Sequence, residues 1–150
     1  RMMAAFEFFK KLGVKFYCAS DRDFCPEGDS YSETIRNLEE IVNMAMDLQS
    51  ATGVRLLYFS ADLFSHPRYA NGAATNPDVQ VFSHAAAQVK QAIDMAKKLD
   101  AENFVFVHSN DGYQQSYMRD MSKDMTHLSN LYRMAVRYKD NIGYQGQFLI

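Results

Sequence analysis

The sequence predicts an α/β fold built on a parallel sheet, and three observations support that prediction. Short apolar runs rich in aromatic and β-branched residues alternate with long stretches of helical periodicity. Four such runs recur at intervals of about 40 to 50 residues. No Ser/Gly-rich linker or low-complexity tract interrupts the 150 residues. The pattern is that of repeated βα units in one domain.

The four expected strands have the composition of a covered sheet. Apolar residues are consecutive rather than alternating in Leu56–Phe59 and Phe104–Val107, which indicates that both faces of the sheet are covered. We expect the strands to pair in parallel and in chain order, with the helices on one side as in a half-barrel. The expected strands are Val14–Cys18, Val54–Phe59, Asn103–Val107 and Gln147–Ile150.

Helical periodicity places a helix before each expected strand. Gly13, Gly53 and Gly143 stand where three of these helices should end, as C-caps of positive φ. The stretch Ser30-Tyr31-Ser32-Glu33 has the pattern of a capping box at the start of the second long helix. The nine methionines lie mostly on the apolar faces and are expected to fill the core. These faces are expected to carry Met2, Phe6 and Phe9; Ile35, Leu38, Ile41, Val42, Ala45 and Leu48; Val89, Ala92, Ile93, Ala96 and Leu99; and Met121, Met125, Leu128, Leu131, Ala135 and Val136.

Four βα units make half of a (β/α)8 barrel. Such a barrel needs at least about 200 residues to close. The expected fold class is therefore α/β, a partial (β/α)8 TIM barrel in which residues 1–150 form one segment that is incomplete alone. The last strand, Gln147–Ile150, would leave an apolar parallel edge open to water. We expect the remainder of the same polypeptide, or another protein, to cover this edge.

Charge and composition argue against two classes of partner. The chain has 16 Lys and Arg residues against 18 Asp and Glu residues, a net charge of −2, so neither nucleic acid nor a membrane surface is an expected partner. No apolar stretch approaches the roughly 18–20 residues that span a bilayer. The N-terminus is patterned as a helix rather than as a targeting segment.

Two cysteines, Cys18 and Cys25, fit free thiols and an intracellular, cytoplasmic location.

Polar segments follow the first three expected strands, at the points where those strands end. They are Ser20–Asp23, Ser60–Pro67 and His108–Gly112. Because the loops after parallel strands line a common pocket, these segments form a candidate binding site. The same residue types also cap helices and form turns in any βα loop, so each residue taken singly has a purely structural alternative.

Two other chemistries are conceivable within the same segments. His66, His108 and Asp62 could bind a metal ion, but they lack the tight spacing of known ligand motifs. Ser20 could act as a nucleophile with a His and an Asp, but no nucleophile-elbow motif surrounds it. The two remaining histidines fall on expected helices and are expected at the surface; they are His84 and His127.

Three motifs resemble the xylose isomerase family, in its longer-chain class. They are Leu63–Tyr69, Gly72–Thr75 and Ala85–Lys90. The similarity extends over the whole chain through Asp21–Asp23, Pro26–Gly28, Glu33–Thr34, Met134–Val136 and Gly146–Ile150. The resemblance implies a barrel segment that runs from the first helix of the barrel through its second to fifth strands.

The resemblance also implies an activity and its cofactors. Members of the family interconvert aldose and ketose sugars such as xylose and xylulose with two divalent cations, usually Mg, Mn or Co. The family's metal ligands would lie beyond Ile150, so none is expected in this chain. Ser20 occupies the position of the family's acid–base histidine. A serine is a poor proton shuttle, and we expect the hydrogen bond from this position to Asp23 to be lost.

The family's sugar pocket is also altered at several positions. Val107 occupies the place of a tryptophan that stacks on the sugar, and the bulky Phe59 replaces a small residue. Phe64, which lines the family's pocket, is retained. The family-equivalent substrate contacts are therefore Phe64, Val107 and His108, in a pocket that is expected to be open to solvent.

The changed positions are concentrated on the pocket face, whereas the scaffold motifs remain. This predicts a degenerate, catalytically inactive barrel that serves as a structural or docking subunit of a larger intracellular assembly. The alternative is part of an active metal-dependent xylose or glucose isomerase whose remaining residues lie outside this chain, with His108 or His66 replacing the lost histidine. A third reading is a pocket that binds a sugar or another small molecule without isomerising it.

Overall fold

The sheet of the protein has four parallel strands in the order in which they occur along the chain, as predicted. The structure is a computed structural model, and it describes residues 1–112 and 119–150. Within that part of the chain, β1 and β4 have a neighbouring strand on one side only. The strands are β1 (Phe16–Ser20), β2 (Arg55–Ser60), β3 (Asn103–Val105) and β4 (Gln147–Leu149).

The long helices contact one another in chain order, α1 with α3, α3 with α4 and α4 with α5, so they form one continuous layer. Gly13, Gly53 and Gly143 end three of them with φ angles of 71°, 72° and 69°, which confirms the predicted C-caps. None of the described helices is long and apolar enough to cross a membrane. The helices are α1 (Met2–Leu12), α2 (Asp21–Phe24), α3 (Tyr31–Thr52), α4 (Val79–Lys98) and α5 (Met121–Ile142), with a short 3-10 turn at Pro67–Tyr69.

The strands bury one face of the sheet under the helices. Tyr17 packs against Phe6 of α1, Phe59 is fully buried, and Phe106 packs edge-on against Tyr132 of α5. The opposite face carries a row of paired residues, namely Ser20, Ser60, Val105 and Leu149. This second face is partly open rather than covered as expected, and Phe16 and Leu149 are each 41% exposed.

The strands are displaced or shorter than predicted at their ends. β1 begins at Phe16 rather than Val14, because the backbone N–H of Val14 bonds to the carbonyl of Phe9 and so still completes the end of α1. β3 ends at Val105, where its partner β4 also ends at Leu149. Local apolar character did not reveal these limits, because they depend on where the neighbouring strand stops.

The predicted capping box at the start of α3 is only half formed. The Ser30 hydroxyl accepts a hydrogen bond from the backbone N–H of Glu33 at 3.1 Å, as expected. The Glu33 carboxylate, however, accepts from the backbone N–H of Asp29 at 2.9 Å rather than from that of Ser30. The Glu33 carboxylate therefore binds the backbone one residue before the N-cap residue Ser30.

The expectation that the methionines fill the core was wrong for most of those described. Met95 is fully buried, but six methionines are exposed: Met3, Met44, Met46, Met121, Met125 and Met134. In α5 the buried side is set by Leu131, Ala135 and Asp124, whose carboxylate pairs with Arg119 at 2.8 Å. Met121, Met125 and Val136 are therefore turned onto a flank of α5 that no described helix covers.

Candidate functional site

The three polar segments that follow β1, β2 and β3 are brought together by hydrogen bonds between them. The backbone N–H of Asp62, after β2, donates to the carboxylate of Asp21, after β1, at 2.8 Å. The Asn110 amide, after β3, donates to the carbonyl of Phe64, after β2, at 3.1 Å. The sequence-predicted cluster at the carboxyl ends of the strands therefore exists, and it is internally bonded.

A buried network around Asp21 locks the first two of these loops to α4. The side-chain amide of Gln88 donates to the Asp21 carboxylate at 2.8 Å and to the carbonyl of Asp62 at 2.9 Å. The Tyr69 hydroxyl donates to the side-chain oxygen of Gln88 at 2.6 Å. Burial raises the pKa of Asp21, and the hydrogen bonds from Asp62 and Gln88 only partly offset it.

Sequence reasoning missed the structural role of Gln88. The sequence placed Gln88 in a motif of α4 but did not single it out. A polar residue at a predicted core position of a helix is the signal that could have identified it, because a buried amide needs hydrogen-bond partners.

The Ser20 side chain does not leave Asp23 without a partner, which corrects the prediction from the sequence. The Ser20 hydroxyl donates to the Asp23 carboxylate at 2.8 Å, and the backbone N–H of Ser20 donates to the same oxygen at 2.8 Å. In return, the backbone N–H of Asp23 donates to the Ser20 hydroxyl at 3.2 Å. The two residues form a reciprocal capping box at the start of α2.

This capping box also decides what Ser20 can do chemically. Its proton is directed to Asp23 and one of its lone pairs accepts from a backbone N–H. Activation of a serine nucleophile requires an adjacent general base, usually a histidine. In the described chain, both hydrogen-bond partners of the Ser20 hydroxyl are atoms of Asp23.

His108 lies on the side of the sheet that faces the helices. Its ring stacks on Phe106 at a centroid distance of 6.1 Å and an interplanar angle of 5°, and it meets Tyr132 of α5 edge-on at 5.4 Å. Because successive residues of an extended segment point to opposite sides, Val107 is directed away from the His108 side. Phe64 is exposed, whereas Val107 and His108 are each partly buried.

Asp111 fixes the orientation of His108 and anchors a turn of the neighbouring loop. One carboxylate oxygen pairs with Nδ1 of His108 at 2.7 Å. The other accepts from the backbone N–H groups of Ala73 and Thr75 and from the Thr75 hydroxyl at 2.8–2.9 Å. Although burial opposes it, the hydrogen bonds from His108 and Thr75 lower the pKa of Asp111 to about 2.

The turn that Asp111 holds requires glycine at position 72. Gly72 has a φ of 91°, which side-chain-bearing residues rarely adopt. A Cβ atom there would lie 2.7 Å from the Asp111 carboxylate and 2.5 Å from the Thr75 hydroxyl. The glycine of the Gly72–Thr75 motif is thus explained by a close approach to a side chain.

His66 belongs to a separate cluster at the outer rim of the loops. Its Nδ1 accepts from the side chain of Arg68, whose guanidinium pairs with Glu27 at 2.8 Å and also contacts His84. His84 is half-buried rather than fully at the surface as expected, and burial, aided by the nearby Arg68, lowers its pKa. In the part of the chain that the structure describes, no hydrogen bond links His66 to His108 or to Asp62.

His127 is also half-buried, against Phe82 of α4. In the described ranges 1–112 and 119–150, no group of three His, Cys, Asp or Glu side chains could hold a metal ion. Both cysteines, Cys18 and Cys25, are free thiols.

The structural comparison identifies the fold. A solved structure titled as a D-tagatose 3-epimerase-like protein matches 90% of this chain and 52% of its own chain, with a TM-score of 0.58 and 15% sequence identity. At that identity the likeness shows the fold alone. Together with the four-stranded parallel sheet, it confirms the predicted partial TIM barrel.

Sequence comparison is more specific, although no family model matches. Xylose isomerases from Hordeum vulgare, Geobacillus thermodenitrificans and Rhodopirellula baltica are 47%, 46% and 45% identical to this chain over all 150 residues. In sequence, the chain is similar to one segment of these xylose isomerases. It spans about one third of these relatives' length, namely 31%, 34% and 34%.

Proposed function

We propose that this segment belongs to a degenerate xylose-isomerase-like barrel that has lost sugar isomerisation and serves as a structural or docking subunit. The observation that carries the proposal is the reciprocal capping box between Ser20 and Asp23. At the position where the resemblance implies an acid–base histidine, the side chain is a hydroxyl already bonded to its neighbour.

The chemistry of that position supports the proposal. General acid–base catalysis requires a group whose pKa lies near the working pH and which can reach the substrate. An imidazole meets both conditions, whereas a serine hydroxyl is a very weak acid and is shorter. In addition, releasing the Ser20 hydroxyl toward a substrate would remove the cap from α2.

Neither of the two candidate replacement histidines compensates for this loss in the described chain. His108 lies between Phe106 and Tyr132 on the helix side of the sheet. His66 is tied to Arg68 at the rim. The alternative of an active isomerase, favoured by the identity of up to 47% to the relatives named above, therefore needs an acid–base group from outside the described residues.

The carboxylates at the strand ends also do not fit a divalent cation. Asp21 and Asp111 are buried and accept protein hydrogen bonds on both oxygens. Asp62 accepts from the backbone N–H groups of Phe64 and Ser65. Replacing these donors with a cation would require the loops to open, so the two cations that the family uses would need ligands beyond Ile150.

An isomerase assay tests the proposal. The longest natural polypeptide that contains these residues should show no metal-dependent conversion of xylose or glucose with Mg, Mn or Co, and neither should the 150-residue chain. The double variant Ser20→His/Val107→Trp should not restore activity to the 150-residue chain. The Geobacillus thermodenitrificans relative, assayed in parallel, is the positive control. Metal-dependent turnover by either form of this protein would overturn the proposal.

The docking role rests on apolar surface that the described chain leaves exposed. Leu149 of β4 is half-open to solvent, and Ile150 beyond it is almost fully exposed. Leaving a large apolar side chain in water forgoes roughly 1.5–3 kcal/mol of burial. A covering element on this edge, supplied by further polypeptide or by another protein, would recover that free energy.

A further inference from the structure

Four ionisable side chains form a cluster at the rim of the loops and join three elements that are distant in sequence. These elements are the segment after α2, the turn Pro67–Tyr69 and α4. This rim cluster consists of Glu27, His66, Arg68 and His84. The side chains of Glu27, Arg68 and His84 are only 25–27% exposed, so water and salt screen their charges incompletely.

The donors of Arg68 fix the protonation state of both histidines. Its side-chain Nε and its backbone N–H donate to Nδ1 of His66 at 3.0 and 3.1 Å. Its Nη1 donates to Nε2 of His84. Because a guanidinium keeps its charge and has no acceptor, each of these two ring nitrogens must present a lone pair. Both rings are therefore neutral in this arrangement.

Glu27 supplies the counter-charge of the rim cluster. Its carboxylate pairs with Arg68 at 2.8 Å and lies 3.7 Å from Nε2 of His66 and 3.7 Å from Nε2 of His84. With both rings neutral, one carboxylate balances one guanidinium. With both rings protonated, the same carboxylate faces three cations, and Arg68 loses both of its ring acceptors. Acid thus turns a balanced cluster into a repulsive one.

The other groups around His84 do not compensate for that repulsion. Arg22 of α2 adds further positive charge. Tyr31 of α3 meets the ring edge-on at a centroid distance of 5.9 Å, and its hydroxyl donates to the carbonyl of Ala87. Among the described residues, Glu27 is the only anion paired with His84. Burial, with a contribution from Arg68, accordingly lowers the pKa of His84 although Glu27 opposes the shift.

We propose that the rim cluster is an acid-sensitive clasp, which holds the turn Pro67–Tyr69 to α4 while both histidines are neutral and releases it when they are protonated. The inner side of the same turn is held separately, because the buried Tyr69 hydroxyl donates to Gln88 at 2.6 Å. Release therefore loosens the outer side of the loop between β2 and α4, which carries Phe64, and leaves the sheet beneath it folded. The clasp acts whether or not the barrel isomerises sugars.

Amide hydrogen exchange, followed by NMR in the longest natural polypeptide that contains these residues, tests the clasp. The reporting amides are those of Arg68, which donates to His66, and of Tyr69 and Ala70, which close the turn. Between about pH 7.5 and pH 5.5, their exchange should become about tenfold faster after correction for the intrinsic rate, since one unit of pKa difference changes an opening equilibrium tenfold. A wild-type protein without this acceleration would overturn the proposal.

The amides of Ala73 and Thr75 are the internal reference. They donate to the Asp111 carboxylate, whose pKa of about 2 keeps it ionised over this pH range. Their corrected exchange should stay constant. An equal acceleration at these two amides would indicate a general loosening of the loops and would contradict a local clasp.

Two substitutions that keep an acceptor but cannot be protonated should abolish the response. The amide oxygen of His66→Asn occupies the place of Nδ1, and that of His84→Gln occupies the place of Nε2. In the double variant, the exchange at Arg68 should no longer depend on acid. His127→Gln, at the half-buried histidine of α5, is the matched control and should keep the wild-type response. A double variant that responds like the wild type would refute the clasp.

A ring titration tests the clasp without any substitution. The NMR signals of the His84 ring should titrate with a midpoint below the ordinary value of 6.5, because Arg68 requires the neutral ring. A midpoint at or above 6.5 would show that Glu27 rather than Arg68 controls the ring, and the proposal would be wrong.

Discussion

Asp21 follows β1 and Asp111 lies in the loop after β3, and their environments shift their pKa values in opposite directions. Both are buried, and both link one loop to another. The Asp21 carboxylate accepts two hydrogen bonds, and burial dominates its raised pKa. The Asp111 carboxylate accepts from Ala73, Thr75 and His108, and its pKa falls to about 2.

The comparison shows that burial alone does not decide the charge state of a loop carboxylate. The hydrogen bonds from His108 and Thr75 outweigh burial at Asp111, whereas those from Asp62 and Gln88 do not outweigh burial at Asp21, because each hydrogen bond to the charged form offsets part of its lost hydration. Asp111 is therefore an anchor that works as an anion. Asp21 is a network member whose ionisation costs stability.

The largest expected effect follows from removing the Asp111 anchor. Asp111→Ala leaves the buried N–H groups of Ala73 and Thr75 without an acceptor, and we expect a loss of about 4 kcal/mol in the free energy of unfolding. Urea denaturation of the protein that carries this segment measures it. Asp111→Asn is the matched control and should lose about 1 kcal/mol, since its amide oxygen keeps the backbone contacts. Equal losses in the two variants would contradict the anchor role.

Lowering the pH should remove the stabilisation that the ionised Asp111 carboxylate provides in the wild-type protein. The folded-state pKa of Asp111, about 2, lies below the ordinary value of 3.8, so its stabilisation is complete above pH 3.8 and is lost as the pH falls toward 2. We expect the wild-type free energy of unfolding to drop by about 2 kcal/mol more than that of Asp111→Asn over this window. Parallel pH profiles for the two proteins would contradict the low pKa.

The contribution of Asp21 to stability should depend on pH in the opposite sense to that of Asp111. Substitution of either residue should nevertheless destabilise the protein. The raised pKa of Asp21 means that its protonated form is favoured by folding, so that contribution is present below pH 3.8 and is lost as the pH rises through the folded-state pKa. Asp21→Asn nevertheless turns an amide donor toward Gln88 or Asp62, both of which are already donors.

We expect Asp21→Asn to cost about 2 kcal/mol of stability at neutral pH. Gln88 cannot reverse its amide to compensate, because its oxygen accepts from Tyr69. Asp47→Asn, on the exposed side of α3, is the control and should change stability by less than about 0.5 kcal/mol. Thermal unfolding followed by circular dichroism distinguishes them, and an unchanged Asp21→Asn variant would show that the network does not need the carboxylate.

The smallest effect is expected at Ser20. Ser20→Ala removes the cap of α2 and the hydroxyl that donates to Asp23, with a loss of about 1 kcal/mol. Ser20→Asn supplies another capping side chain and should lose less than half of that amount. Chemical denaturation of both variants measures the difference. If alanine is tolerated as well as asparagine, the capping box contributes nothing measurable.

The sequence by itself determined the order of elements, the parallel direction of the strands and the helix ends. These features depend on local signals: apolar runs of strand length, helical spacing, and glycines such as Gly53 that can adopt a positive φ at a C-cap. It also revealed the similarity to xylose isomerases, through motifs such as Gly72–Thr75.

Only the tertiary structure decided which polar residues are available for chemistry. His108 is on the helix side because Phe106 and Tyr132 pack against it, and Met125 is exposed because Asp124 rather than Met125 turns toward the core of the fold. Apart from the local pair of His108 with Asp111, the hydrogen bonds that engage the Asp21 and Asp111 carboxylates join residues 36 to 67 positions apart. Such pairs are not visible in local periodicity, because they depend on which loops meet once the strands are aligned in the sheet.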